Sequence, residues 1–303
     1  MNSIELKSVT KTFGSVVAVN DLSLTVPKGS IYGFIGPNGS GKTTTIRMIM
    51  KIFYADKGTI LMNGKEMNGR RLDNVGYLPE DRGLYKKMKL KEVLAFHGEL
   101  SGGKNLGEKI SKWLEHFDLS DYANKKVETL SKGMRQKLQF IATILNEPEI
   151  VILVEPFSGL DPVNAELMKD TVLDMQKRGA TVIFSTHDMS MAEKMCDQIF
   201  MIYKGKKVLD GTLADIQDQY GTDTVRLQTE MGEAALAGLK GIDKVNNFGK
   251  EQEVKLSPEG DPQKILAEVM KKTSVKRFEI TKPSLNDIFI RIAAPDRKEV
   301  GHE

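Results

Sequence analysis

The chain has 303 residues, 40% hydrophobic and 28% charged, with a formal net charge of +3. This length holds one large α/β domain and a smaller one, and so small a charge does not imply nucleic-acid binding, although it is compatible with an anionic membrane face. The lone Cys196 excludes an intrachain disulfide and a cysteine-only metal site, no stretch reaches the roughly 18 apolar residues that span a bilayer, and the opening Met1-Asn2-Ser3-Ile4-Glu5 lacks a secretion-signal pattern.

Residue patterning predicts strands over 3–10 and 21–26, a Pro27-Lys28-Gly29 turn and a continuously apolar strand over 30–35. Next comes Gly36-Pro37-Asn38-Gly39-Ser40-Gly41-Lys42-Thr43-Thr44-Thr45, continuing as a helix over 42–51. This is G-x-x-x-x-G-K-[ST] between a strand and a helix. Its glycines permit a tight turn whose N–H groups converge on phosphate oxygens, Lys42 brings a charge to the outer phosphates, and the Thr43 hydroxyl can ligate Mg²⁺. The loop therefore predicts binding of a nucleoside triphosphate. A dinucleotide fold would want G-x-G-x-x-G and has no use for Gly-Lys-Thr.

A short strand and turn follow over 59–64, a strand over 74–78 runs into Pro79, and a helical stretch over 90–117 breaks near Ser101-Gly102-Gly103. Helices over 132–145, 162–177 and 189–195 then alternate with strands over 150–154, 181–185, 198–203 and 206–209. The expected fold class is α/β, a mainly parallel sheet covered on both faces, with antiparallel strands at the N-terminal edge. Cys196 lies in an apolar-patterned helix and reads as a core thiol.

Composition changes near Tyr220-Gly221-Thr222. Segments 223–228, 231–239, 244–248, 252–256, 262–270 and 274–280 read as strand, helix, strand, strand, helix, strand, the order of a small ferredoxin-like α+β module. A terminal helix over 285–291 precedes a charged end expected to fray from Pro295. The expected organisation is a nucleotide domain over 1–220 with a helical subdomain at about 84–146, a module over 221–292 without a catalytic cluster, and a flexible tail over 293–303.

Strand 150–154 ends at Glu155-Pro156 and strand 181–185 at Thr186-His187-Asp188, so both deliver polar residues to the carboxyl edge of the sheet, where the phosphate loop lies. With Leu130-Ser131-Lys132-Gly133-Met134 before the first of these strands and Ser158-Gly159-Leu160-Asp161-Pro162 after it, residues 3–211 resemble the ATP-binding subunit of an ABC transporter, a P-loop NTPase.

That resemblance implies roles for individual residues. Phe13, in Lys11-Thr12-Phe13-Gly14, matches the aromatic that stacks on adenine. Gly36, Pro37, Asn38, Gly39, Ser40, Gly41, Lys42, Thr43 and Thr44 hold the phosphates. Glu80 stands where the family has its lid glutamine and joins Thr43 near Mg²⁺. Leu130 to Met134 is a variant of the signature Leu-Ser-Gly-Gly-Gln, with Ser131 and Gly133 facing the γ-phosphate held by a sister chain. Asp161 belongs to the loop that crosses the dimer interface, and His187 is the switch histidine. Hydrolysis needs a positioned water and an acceptor for its proton, a part that suits Glu155 beside Lys42 and His187. Plainer alternatives are a solvated carboxylate before a helix-starting proline, a turn histidine, a core phenylalanine, and a Ser131 that merely caps its helix.

The same resemblance implies ATP and Mg²⁺, a second ATPase subunit in a head-to-tail dimer, most simply a homodimer, and a separate multi-span permease. It also implies a peripheral location on the cytoplasmic face of the membrane, and no nucleic acid. The segment Gly76-Tyr77-Leu78-Pro79-Glu80-Asp81-Arg82-Gly83-Leu84 and the end Lys282-Pro283-Ser284-Leu285 are similar to a bacterial subgroup that includes sodium-export subunits. Exporters of ions, drugs or peptides all fit.

One departure stands out. Val154 occupies the place of the aspartate that orients the Mg²⁺ water shell, and valine offers no acceptor. The expectation is slower or more Mg²⁺-demanding hydrolysis, and a regulatory ATP-binding protein with little turnover is an open alternative. A soluble ABC ATPase acting on ribosomes or DNA would carry two nucleotide domains or a long coiled insertion, and a GTPase would carry Asn-Lys-x-Asp.

Overall fold

The computed structural model describes residues 2–66, 74–80, 83–221 and 224–299. Asp81 and Arg82 of the resemblance segment, Thr222 at the composition change and Asp223 at a predicted strand start lie outside them, as does the end from 300 onward. The chain forms two compact units, residues 1–211 and 212–303.

The first unit opens with a long hairpin of β1 (Asn2–Phe13) and β2 (Val16–Pro27), turning at Gly14. With β4 (Lys57–Met62) and β5 (Lys65–Glu66) it forms a sheet in the order β2-β1-β4-β5. The strands predicted at the edge of the main sheet thus make a sheet of their own. Both hairpin strands outrun the predicted limits, because their distal halves carry no apolar alternation. Antiparallel pairing holds them, with Lys11 opposite Val19, Thr12 opposite Val17 and Phe13 opposite Val16, and on β1 Asp56 accepts from the Thr12 N–H and from Lys11 Nζ, each at 2.7 Å.

The main sheet runs β10-β9-β3-β8-β7-β6 and comprises β3 (Ile31–Ile35), β6 (Val75–Leu78), β7 (Ile150–Val154), β8 (Thr181–Thr186), β9 (Gln198–Tyr203) and β10 (Lys206–Gly211). All its pairings are parallel except β9 with β10. The helices are α1 (Lys42–Ile49), α2 (Leu90–Leu100), α3 (Leu106–His116), α4 (Lys132–Ile144), α5 (Pro162–Lys177) and α6 (Met189–Met195).

The period of two along a strand divides the core. Val151, Leu153, Val182 and Phe184 pack with residues of α2 to α5, while Ile150, Ile152, Val154 and Ile183 pack with the hairpin and α1. Val154 therefore faces the side on which the phosphate loop begins its helix.

Cys196 follows α6, its sulfur so close to β3 that a Cβ on Gly33 would lie 2.8 Å from Sγ. Burial pushes this thiol up to about 12, with Asp197 adding to the shift. Since the thiolate is the nucleophile, the folded chain should resist iodoacetamide at pH 8 and take up one equivalent in denaturant. Rapid labelling of the folded chain, read by mass spectrometry, would contradict this.

The second unit begins with α7 (Leu213–Tyr220), which the sequence reading missed; Thr212 caps it by accepting from the Asp215 N–H at 3.2 Å. Strands β11 (Thr224–Thr229), β12 (Ile242–Asn247), β13 (Gln252–Leu256) and β14 (Val275–Thr281) make an antiparallel sheet in the order β12-β13-β11-β14. That is the ferredoxin-like order, with α8 (Pro262–Lys272) before the last strand. The helix expected over 231–239 is only a 3₁₀ turn, Gly232–Leu236, bracketed by Gly232 and Gly238 at positive φ, where α-helix cannot continue. The last helix, α9 (Leu285–Glu299), extends past the predicted limit at 291 and includes Pro295.

Candidate functional site

Backbone geometry fixes the phosphate loop. Gly36 has φ 148° and Gly41 φ 107°. A Cβ on Gly36 would lie 2.2 Å from the Ile202 carbonyl oxygen, and one on Gly41 2.5 Å from that of Ala18, so only glycine lets the loop pass this close to β9 and β2. Lys42 opens α1, and its Nζ donates to the carbonyls of Gly36 at 2.5 Å and Pro37 at 2.9 Å. Burial lowers the pKa of its ammonium, against the opposing pull of the Glu155 and Glu80 carboxylates.

A cavity of about 510 Å³ covers the loop. Its lining includes Asn38, Gly39, Ser40, Gly41, Lys42, Thr43 and Thr44 from the loop and helix start, Glu80 after β6, Val154 and Glu155 from β7, and Ser185 from β8. The structure thus brings most of the predicted phosphate and metal contacts to one place. The lining also holds Val16, Val17 and Ala18 of β2 and Lys204-Gly205 of the β9–β10 turn, which sequence reading missed because they belong to no motif and arrive through strand pairing.

Glu155 is held hard at this cavity. It has φ 48°, a left-handed backbone that is costly for a residue with a Cβ. Its carboxylate is largely buried and accepts from the His187 N–H at 2.9 Å and from Thr186 Oγ1 at 3.1 Å, while His187 Nδ1 lies 2.7 Å from Oε1. Glu155 and His187, predicted separately from two strand ends, therefore meet. The next residue is tied to α4, since Gln136 Nε2 donates to the Pro156 carbonyl at 2.5 Å.

Besides Gly36, Pro37 and His187, the predicted residues outside that lining are Phe13, Ser131, Gly133 and Asp161. Phe13 is 44% exposed at the hairpin tip, edge-on to Phe53 at 5.3 Å. Ser131 caps α4, accepting from the Met134 N–H at 3.2 Å, with Gly133 in its first turn. Asp161 caps α5, and its bonds from the Asn164 N–H and side-chain amide hold its exposed carboxyl below the usual carboxylate range. These are the residues whose implied partners belong to the base or to another chain.

Two hydroxyls at the cavity, Ser40 Oγ and Ser185 Oγ, are buried and have no hydrogen-bond partner among the described residues. Buried polar atoms in folded proteins are nearly always paired, so these suit a polar ligand. With a helix N-terminus and a lysine ammonium above the loop, the donor set fits a polyphosphate, and Thr43 and Glu80 add oxygens for its Mg²⁺. A second cavity, about 710 Å³, lies in the other unit beside Thr229, Glu233 and Lys276, and its described lining includes no α-helix N-terminus.

Residues 19–158 match the ABC transporter family profile, and 211–293 match that of the C-terminal domain of DrrA1-3-like ATP-binding proteins. The chain is 39% identical over 289 residues to the ABC transporter ATP-binding protein YhaQ of Bacillus subtilis, covering 95% of this chain and 97% of that one. It is 31% identical over 306 residues to the Nod factor export ATP-binding protein I of Burkholderia lata, covering 98% of each. Among solved structures, an ATP-binding subunit of an ABC transporter superposes with a TM-score of 0.69 at 29% identity, over 72% of this chain and 93% of that one.

Proposed function

The chain belongs to the ABC transporter ATP-binding family, and on that premise we propose that this Mg²⁺-dependent ATPase powers export through a separate multi-span permease. Its similarity over full length to a Nod factor export subunit supports the direction of transport. No helix among the described residues is long and apolar enough to cross a membrane.

The observation that carries the reading is the carboxylate of Glu155, fixed by Thr186 and His187 at the mouth of the phosphate-loop cavity. Lys42 and the loop N–H groups bind and orient the phosphates; Thr43 and Glu80 offer oxygens to Mg²⁺, which neutralises phosphate charge. Glu155 orients a water and takes up its proton, and His187 aligns that carboxylate and reports the presence of the outer phosphate. The exposed Val16 and Val17 beside Phe13 give a nucleobase an apolar face.

Ser131 and Gly133 at the start of α4, with the exposed Asp161, serve the nucleotide of a second copy, so that ATP closes a head-to-tail homodimer and hydrolysis opens it. The stretch from about 84 to 118, with Tyr85, Phe96 and Leu100 exposed on it, meets the permease. A mainly regulatory protein with little turnover is the second reading, favoured by Val154 alone.

Affinity purification of the tagged chain from membranes solubilised in mild detergent tests the proposal. Copurification of a multi-span protein that raises ATP turnover supports it. Nucleotide-dependent dimerisation without measurable hydrolysis, and with no such partner, would favour the regulator.

A further inference from the structure

Three consecutive residues bring β8 to the cavity. Two of them, Thr186 and His187, hold Glu155. The third, Ser185, is 1% exposed and lines the same cavity as Lys42 and Thr43, yet its hydroxyl has no hydrogen-bond partner among the described residues. An unpaired buried hydroxyl is destabilising unless a ligand completes it.

Its position suggests which ligand. Ser185 is the register partner of Val154 across the parallel β7–β8 pair. Alternation places it on the face of Ile183, the face on which Ile152 and Val154 pack with Ile46, Met48 and Ile49 of α1, and Val154 lines the cavity together with Thr43. Val154 has neither donor nor acceptor, so the polar atom at this corner comes from β8. A serine hydroxyl retains acceptor lone pairs and can receive a hydrogen bond from a metal-bound water, the part that a carboxylate on β7 would otherwise play. Ser40, the second such hydroxyl among the described residues that line this cavity, belongs to the phosphate loop itself.

We propose that Ser185 is a positioning residue for the metal: its hydroxyl accepts from the water shell of the Mg²⁺ that enters with ATP, taking over the orienting part that Val154 cannot perform. This rests on the reading of the cavity as an ATP–Mg²⁺ site. Thr43 remains the direct oxygen ligand and Glu80 the nearby charge.

Binding of a fluorescent ATP analogue, titrated against Mg²⁺ with the full chain, tests it without reference to turnover. Ser185→Ala should raise the Mg²⁺ needed for half-maximal binding by about tenfold. Its affinity in EDTA should be unchanged, and Ser185→Thr should return the Mg²⁺ requirement to near wild type. Thermal unfolding of Ser185→Ala should be no lower than wild type, because the removed hydroxyl has no partner among the described residues. A Ser185→Ala protein that binds nucleotide with the wild-type Mg²⁺ dependence overturns the inference, as does one that no longer folds. Failure of the wild-type chain to bind the analogue at any Mg²⁺ concentration overturns the reading of the cavity itself.

Discussion

Glu155→Gln should slow ATP hydrolysis by about 10²–10⁴-fold, the range for loss of a general base, while leaving nucleotide binding intact. The replacement is close to isosteric. Glutamine keeps one carbonyl oxygen to accept from the His187 N–H, and the Thr186 hydroxyl, now facing an amide N–H₂, can turn to accept from it. What disappears is the anionic oxygen and with it the capacity to take a proton. Because the scaffold bonds survive, the unfolding temperature should stay near that of wild type, which separates a chemical loss from a structural one.

The same variant tests the composite site. If ATP joins two copies through Ser131 and hydrolysis separates them, blocked hydrolysis should accumulate a dimer with two bound nucleotides. Light scattering after size exclusion would detect it. Phosphate release at the wild-type rate would remove Glu155 from the chemistry, and a strictly monomeric ATP-loaded variant would remove the sandwich.

Val154→Asp should raise ATP turnover at limiting Mg²⁺ by about tenfold or more, the scale on which outer-shell partners of a metal act. Its structural cost is equally definite. Val154 is 4% exposed and packs with the cluster that includes Phe34, Ile46 and Ile183, so an ionised carboxylate enters a largely apolar corner. Without ligand the variant should lose about 1–3 kcal/mol of stability, reduced by whatever the free Ser185 hydroxyl donates to the new carboxylate. ATP with Mg²⁺ should restore much of that loss, because a ligand that binds only the folded state stabilises it by mass action. The two effects together are diagnostic: thermal shifts give the stability change, and a Mg²⁺ titration of turnover gives the gain. Equal Mg²⁺ requirements in the two proteins would show that position 154 is not where the metal is organised, and would point to Glu80 and Ser185 as sufficient.

The sequence reading succeeded where a residue type and its spacing express a local physical demand. Continuous apolar runs marked β3, β7 and β8, because a strand covered on both faces has no polar side to show. The loop glycines marked themselves, since Gly36 and Gly41 meet backbone at distances that no Cβ survives. It failed where the deciding contact lay far along the chain. The outer hairpin, paired strand to strand and tied to Asp56 forty-four residues on from Thr12, has no alternation of its own, and Gly232 and Gly238 cut short a segment whose apolar spacing read as helix.

By itself, then, the sequence determined the class of fold, the phosphate loop, the two strand ends that carry Glu155 and His187, and the anomaly at Val154. The first three follow from which backbone angles and burial patterns neighbouring residues allow, whereas Val154 stands out only against the aspartate that the family resemblance implies there. Only the tertiary structure decided that His187 and Thr186 close on the Glu155 carboxylate, that the hairpin and the Lys204-Gly205 turn wall the cavity, and that Ser185 stands beside Val154 with its hydroxyl unclaimed. The reason is register: residues some thirty positions apart become neighbours when parallel strands align, and the alignment is set by packing of the whole sheet rather than by any local sequence.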